Sequence, residues 1–289
     1  MTWTIVNTAI ERTNTFIDTG IAEIPAYIAH AVGTGEIRCP ICDRNDDFMS
    51  VNIRRELRNE NGETRYYEEG RCECELYRTF WRKFCKAVPA HDRHINLGHL
   101  AWSDKSKLPR HVQEKVIRDV KANPDASYAF FGPAGTSKST YAVALFSDVL
   151  LKHVQDTCKI PIWNVRDKMI SDCVWRVSAK TVLEQFVAEA TGDGHPIVNR
   201  AAIAQARRAG YKPRLFIEEI DKVKYTDFKV NAIFELIDAI YENDGQLVFN
   251  TNLPLPKFGA LFGDEVGPAI VRRVGELCTG TVFDFFDAQ

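Results

Sequence analysis

The stretch Gly132 to Thr140 carries the plainest chemistry in the chain. It reads G-P-A-G-T-S-K-S-T, follows the apolar run Tyr128 to Phe131, and opens the apolar-periodic stretch Tyr141 to Leu151. A strand running into a glycine-rich loop and then into a helix is the setting of a phosphate-binding loop. Gly132 and Gly135 can take backbone angles barred to other residues, so the N–H groups of Pro133-Ala134-Gly135-Thr136 and beyond, proline excepted, turn inward on a polyphosphate. The positive N-terminal end of the following helix adds to that pull. Lys138 is expected to pair with the β- and γ-phosphates of ATP, and the Ser139 hydroxyl to ligate Mg²⁺, with Thr140 closing the motif. Ser137 stands where a last glycine is usual, and a serine fits there if its backbone angles are helical.

A second set of polar residues sits about eighty positions on. Arg214-Leu215-Phe216-Ile217-Glu218-Glu219-Ile220-Asp221 is an apolar strand that ends in two carboxylates. In an open α/β sheet, ligands lie beyond the carboxyl ends of the strands, so this end is expected to face the phosphate loop. Glu218 then serves the Mg²⁺ shell, and Glu219 polarises the attacking water. Glutamate at the first of these positions is one methylene longer than the usual aspartate, which bears on hydrolysis more than on binding. Gln246 to Asn252 (Q-L-V-F-N-T-N) is a further strand with a polar end. Asn252 is the expected water-orienting residue there, with Asn250 as the alternative. Ala269 to Val274 offers Arg272 and Arg273 on a helix, and Arg273 is the candidate to reach a nucleotide held by a neighbouring subunit.

Cysteine gives the third constellation. Of eight cysteines, Cys39, Cys42, Cys72 and Cys74 crowd into one short stretch as C-P-I-C and C-E-C. Between them Phe48 to Leu57, Asn61-Gly62 and Thr64 to Tyr67 read as a hairpin that returns the chain to its start. That arrangement suits a closed tetrahedral Cys₄ Zn²⁺ site of structural type. His30, Cys85 or His91 in place of one thiolate, and a redox C-x-x-C, are the competing readings. Cys85, Cys158, Cys173 and Cys278 are scattered among apolar residues and read as buried thiols.

The elements that must carry these groups follow from periodicity. Residues 1 to about 36 read as two or three short helices through Ile5, Ala9, Phe16, Ile17, Ile21 and Ile28. Residues 75–88 read as an amphipathic helix with Leu76, Phe80, Phe84 and Val88 on one stripe and several basic residues elsewhere. A boundary near residue 95 divides an N-terminal module, 1–95, from a second domain, 96–289. In the second, Pro109 opens a helix, strands fall at Tyr128 to Phe131 and Cys173 to Ser178, and helices at Thr181 to Ala190 and Val198 to Arg208. Thr281 to Phe286 is a closing strand, with too little chain after it for a helical lid. The βαβα order implies a parallel sheet flanked by helices, an α/β fold. A hydrophobic share of 45% supports a real core, and a net charge of −2 gives no global pull on nucleic acid. No apolar run is long enough to span a bilayer and no signal-peptide pattern opens the chain, so a cytoplasmic protein without membrane contact is expected.

Residues 96–289, through the strand and phosphate loop, L-F-I-E-E-I-D, F-N-T-N and A-I-V-R-R-V-G-E-L-C, resemble the AAA+ ATPases of the DnaC/DnaI helicase-loader and IstB transposition-helper clade. The C-P-I-C and C-E-C module before a basic helix is similar to the zinc-binding N-terminal domain of the loaders. The resemblance implies an AAA+ domain that assembles as a homo-oligomer through its ATP interface on DNA, single-stranded in preference, and an N-terminal module that grips a replicative helicase. It makes Gly132 to Thr140 Walker A, Glu218 and Glu219 Walker B, Asn252 sensor 1 and Arg273 the arginine finger. A helicase loader is the leading expectation. An IstB/TnsC-like regulator that recruits a transposase is one alternative, and an ATP-gated scaffold with little hydrolysis is another. For the cysteine module the expected outcome is direct: metal analysis of the purified chain finds stoichiometric zinc, and Cys39→Ser with Cys72→Ser loses it. Retention of the full zinc content in that double variant would rule out the Cys₄ set.

Overall fold

The computed structural model describes residues 3–6, 52–59, 64–71, 84–158 and 173–286. The chain divides into two compact units, Met1–His94 with Leu150–Ile170, and Ile95–Val149 with Ser171–Gln289.

The first unit holds a three-stranded antiparallel sheet, β1 Trp3–Val6, β2 Asn52–Asn59 and β3 Thr64–Arg71, in that order. The hairpin expected from sequence is therefore present as β2 and β3, with Leu57 opposite Arg65 and Arg58 opposite Thr64. The strand Trp3–Val6 corrects the helical reading of the first residues around Ile5. Its W-T-I-V sequence is aromatic and β-branched, which suits a pleated surface, and Ile5 pairs with Leu57. The other expected N-terminal helices, the Asn61-Gly62 turn, Cys39, Cys42, Cys72 and Cys74, and most of the 75–88 helix lie outside the described residues. Helix is described there only at 84–87.

The second unit has the parallel sheet flanked by helices that the sequence implies. In chain order its elements are α1 Arg110–Ala122, β4 Tyr128–Phe131, α2 Lys138–Cys158, β5 Val174–Ser178, α3 Ala179–Thr191, α4 Arg200–Arg208 and β6 Arg214–Glu218. There follow a 3₁₀ turn at Ile220–Lys222, α5 Asp227–Glu242, β7 Gln246–Thr251, the short α6 Leu255–Phe258, a 3₁₀ turn at Gly259–Phe262, α7 Gly263–Leu277 and β8 Val282–Asp284. The strand order is β5-β6-β7-β4-β8, with all pairings parallel. The loops after β4, β6 and β7 therefore leave the sheet at the same edge.

Both faces of the sheet are covered, which is why β4 reads as an unbroken apolar run and β7 carries Leu247, Val248 and Phe249 in succession. Successive side chains on β4 point to opposite faces. Phe130 meets Tyr141 of α2, with ring centroids 5.8 Å apart, and Phe131 meets Phe258 of α6 at 5.4 Å. Gln246 is a buried polar residue at the start of β7, and it is satisfied. Its Nε2 donates to the carbonyls of Pro124 and Ala126, and its Oε1 accepts from Arg214.

Helix α5 is an element beyond those expected from sequence; its Val230, Ile233, Leu236, Ile237 and Ile240 recur at helical spacing and are buried. It packs against α3, α4 and α7. Cys173 and Cys278 are buried thiols outside any disulfide, as expected, whereas Cys85 is only half-buried. Among the described residues no helix is long and apolar enough to cross a membrane.

Helix α7 is held close by Gly267, where an added Cβ would lie 2.3 Å from the Gly259 carbonyl oxygen. Backbone cannot yield there as a flexible side chain would. Gly267→Ala is expected to cost about 1–3 kcal/mol in urea unfolding. Gly275→Ala, on the same helix with nothing within 4 Å of its added Cβ, is expected to gain up to about 1 kcal/mol through helix propensity.

Candidate functional site

The phosphate loop is built from β4 outward. The Gly132 N–H donates to the Thr251 carbonyl at 3.2 Å, which ties the loop's first residue to the end of β7. A Cβ on Gly132 would meet the Phe285 Cβ at 2.7 Å, so only glycine lets the chain pass that ring. Gly135 adopts φ +90°, and its carbonyl accepts from the Lys107 N–H at 2.9 Å. The Lys107 stem lies alongside it, 3.1 Å from where a Gly135 Cβ would be. Thr136 is buried, and its Oγ1 donates to the Pro133 carbonyl at 2.8 Å.

Ser137 departs from the expectation of ordinary helical angles. Its φ is +60°, the left-handed region, which costs a residue with a Cβ about 1–2 kcal/mol. The glycine usual at this position avoids that cost, and serine bears it. Among the described residues no backbone carbonyl accepts from the amides of Ala134, Gly135, Thr136 or Ser137. Those N–H groups lie just before the first turn of α2, whose own leading amides have no partner within the helix. Ser139 is exposed on that turn and Thr140 half-buried.

Lys138 is 7% exposed. Its ammonium donates to the Gly132 carbonyl at 2.6 Å, the Pro133 carbonyl at 2.8 Å and Thr136 Oγ1 at 3.3 Å. Burial brings its pKa down to about 8; Asp221 opposes that shift and Lys222 adds to it. An anion that took this ammonium would have to replace the loop oxygens around it.

The acidic side of the site grows from β6. Glu218 ends that strand opposite Ser178, and its Oε1 accepts from Arg176 of β5 at 2.6 Å. The side chains of this pair are 6% and 19% exposed, so it is a buried ion pair that sequence reasoning missed. A charge in the middle of V-W-R-V was its visible signal, since a charge on an inward strand needs a partner. Glu219 leaves the strand in a left-handed conformation, φ 55° and ψ 44°. Its N–H donates to Asn250 Oδ1 at 2.9 Å, and its carboxylate pairs with Lys222 across the 3₁₀ turn.

Asp221 is the second missed residue. Its carboxylate accepts from the Asn252 N–H at 2.9 Å and from Asn252 Nδ2 at 3.1 Å. The structure thus brings Glu218, Glu219, Asp221, Asn250 and Asn252 to the sheet edge from which the phosphate loop also rises. Asn252 is held rigidly, and Asn250, at 3% exposed, faces inward.

Arg273 lies apart from this cluster, on α7. It donates to Asp238 at 2.9 Å and to Glu276 at 3.0 Å, and its guanidinium stacks 4.0 Å from the centre of the Tyr241 ring. Arg272 beside it is exposed and makes no ion pair among the described residues. Among those residues no group of three or more His, Cys, Asp or Glu could hold a metal ion by itself. The expected zinc ligands are not among them.

No protein-family profile matches the sequence, and none of the curated proteins does. Among solved structures, the chain is similar to the DnaC helicase loader, with 14% identity and a TM-score of 0.44 over 65% of this chain and 96% of that one. It is similar to AMPPCP-bound DnaA from Aquifex aeolicus at 14% identity and TM-score 0.42, over 68% of this chain and 50% of that one. A replication initiator DnaA bound to AMPPCP and single-stranded DNA gives 13% and 0.41, with the same shares. The chain therefore spans half the length of those DnaA chains.

The lowered pKa of Lys138 sets a pH dependence. Phosphate binds the ammonium form, so affinity for a triphosphate is full below the pKa of about 8 and falls as pH rises through it. The fall is expected to approach tenfold per pH unit, measured by calorimetry from about pH 7 to about pH 10. Lys138→Met should flatten that profile.

Proposed function

We propose that the chain is an ATP-dependent molecular switch that hydrolyses ATP and acts on a DNA-bound replication partner. The observation that supports it is the meeting, at the carboxyl end of one parallel sheet, of a glycine-rich loop holding a buried lysine and a turn bearing Glu219 next to an Asn252 bonded to Asp221. The residues present fit Mg²⁺ and a triphosphate by the chemistry of their donors. The amides of Ala134 to Ser137 and the Lys138 ammonium would take phosphate oxygens. Ser139 would supply a hydroxyl to Mg²⁺, and Glu218 would face it while still paired with Arg176. Bound Mg²⁺ would neutralise charge on the phosphates. Glu219 would leave Lys222 and accept a proton from water at a carboxylate oxygen, and Asn252, fixed by Asp221, would orient that water.

The partner rests on the sequence resemblance. By it the chain is a replicative-helicase loader with a Zn²⁺-binding N-terminal module at Cys39, Cys42, Cys72 and Cys74, and it assembles on single-stranded DNA with Arg273 or its neighbour Arg272 turned to an adjoining subunit. An ATP-gated scaffold with little hydrolysis is the second reading. What favours it is that Glu218 and Glu219 both carry cationic partners within the chain and that Ser137 holds a left-handed backbone.

Steady-state turnover with and without single-stranded DNA separates the two. The ATPase reading expects DNA-dependent turnover that Glu219→Gln lowers by about 10²-fold or more, with triphosphate binding retained. Turnover unchanged by Glu219→Gln would sink the catalytic assignment, and negligible turnover in the unaltered chain would favour the scaffold.

A further inference from the structure

Asn250 is a polar side chain near the carboxyl end of a buried strand. The whole of β7 is inaccessible, and Leu247, Val248 and Phe249 before it are apolar core residues. An amide in such a place is costly unless its polar atoms are used. Among the described residues the Asn250 Nδ2 has no hydrogen-bond partner, and the Oδ1 contact with the Glu219 N–H at 2.9 Å is what the side chain does there. The orientation of the amide is fixed by that contact, because an N–H can face only the oxygen.

The residue on the receiving end is unusual in its own way. Glu219 has a Cβ yet sits at φ 55° and ψ 44°, a conformation that L residues hold only when their surroundings impose it. Extended angles there would continue β6 and carry the carboxylate to another side of the chain. Asn250 supplies the fixed acceptor that the left-handed turn needs, and it does so from the neighbouring strand, where Phe249 pairs with Ile217. We infer that Asn250 is a positioning residue that imposes the left-handed backbone of Glu219 and so sets where its carboxylate is presented to the water of hydrolysis. This rests on the ATPase reading and assigns Asn250 a role distinct from contact with the phosphate.

The test uses the full chain. In Asn250→Ala, kcat for ATP is expected to fall about tenfold or more, while KM and the affinity for a slowly hydrolysed analogue stay within about twofold. In a Glu219→Gln background, single-turnover measurements should show no added loss from Asn250→Ala, because the effect passes through Glu219. Asn250→Asp keeps the acceptor oxygen and should restore most of kcat. Amide hydrogen exchange read on the peptide containing Glu219 should be slow in the unaltered chain and in Asn250→Asp, and faster in Asn250→Ala.

Equal losses in kcat and analogue affinity, an added loss in the Glu219→Gln background, or unchanged exchange at Glu219 would overturn the inference. Intact turnover in Glu219→Gln alone would instead overturn the catalytic reading. The exchange arm then still decides whether Asn250 holds the turn.

Discussion

A buried ammonium has to be surrounded by oxygens, and Lys138 finds them in the loop that precedes it. That requirement shapes everything near it. The carbonyls of Gly132 and Pro133 can turn toward the lysine only because Gly132 slips past Phe285 and Thr136 braces Pro133 from below. The Gly132 amide is in turn held by β7. With its carbonyls pointing at the lysine, the loop leaves its following amides pointing elsewhere, and these are the groups a phosphate would meet. The left-handed backbone at Ser137 belongs to the same stretch, one residue before α2 begins at Lys138.

The acids opposite show the complementary pattern. Glu218 has Arg176, Glu219 has Lys222, and Asp221 has both nitrogens of Asn252. Each carboxylate already has a partner inside the chain, a cation for Glu218 and Glu219 and neutral N–H donors for Asp221. The pairings are unequal. The Glu219 pairing is half-exposed and weak, because water screens it. The Glu218 pairing is buried, and removing Arg176 alone would leave a carboxylate stranded. Glu219 is therefore the easily freed acid and Glu218 the fixed one.

Much of this was visible in the sequence because it is local. The phosphate loop, the two acids at the end of an apolar strand and the polar end of β7 are contiguous stretches, and each lies where its periodicity placed it. Contacts between strands were not legible. Arg176 and Glu218 are 42 residues apart, and Asp221 and Asn252 are 31 apart, so only the order of strands in the sheet reveals them. The backbone at Ser137 was misjudged for a related reason. A small side chain satisfies the space at that position, but the sign of φ is imposed by the loop as a whole. Helix α5 has regular apolar spacing of its own, whereas the strand at Trp3–Val6 depends on a pairing partner some fifty residues away, which local periodicity does not contain.

Asp238 gives α7 a further property. Its carboxylate lies 2.9 Å from Arg273 and 3.6 Å from Arg200 of α4, so one anion serves arginines from two helices. Arg200 also pairs with Glu242. If Arg273 swung away, Asp238 would keep a cation at hand and would not be orphaned in a half-buried site. Asp238 is thus a shared anion, paired at once with an arginine of α4 and an arginine of α7, and Arg200 would remain beside it in the absence of Arg273.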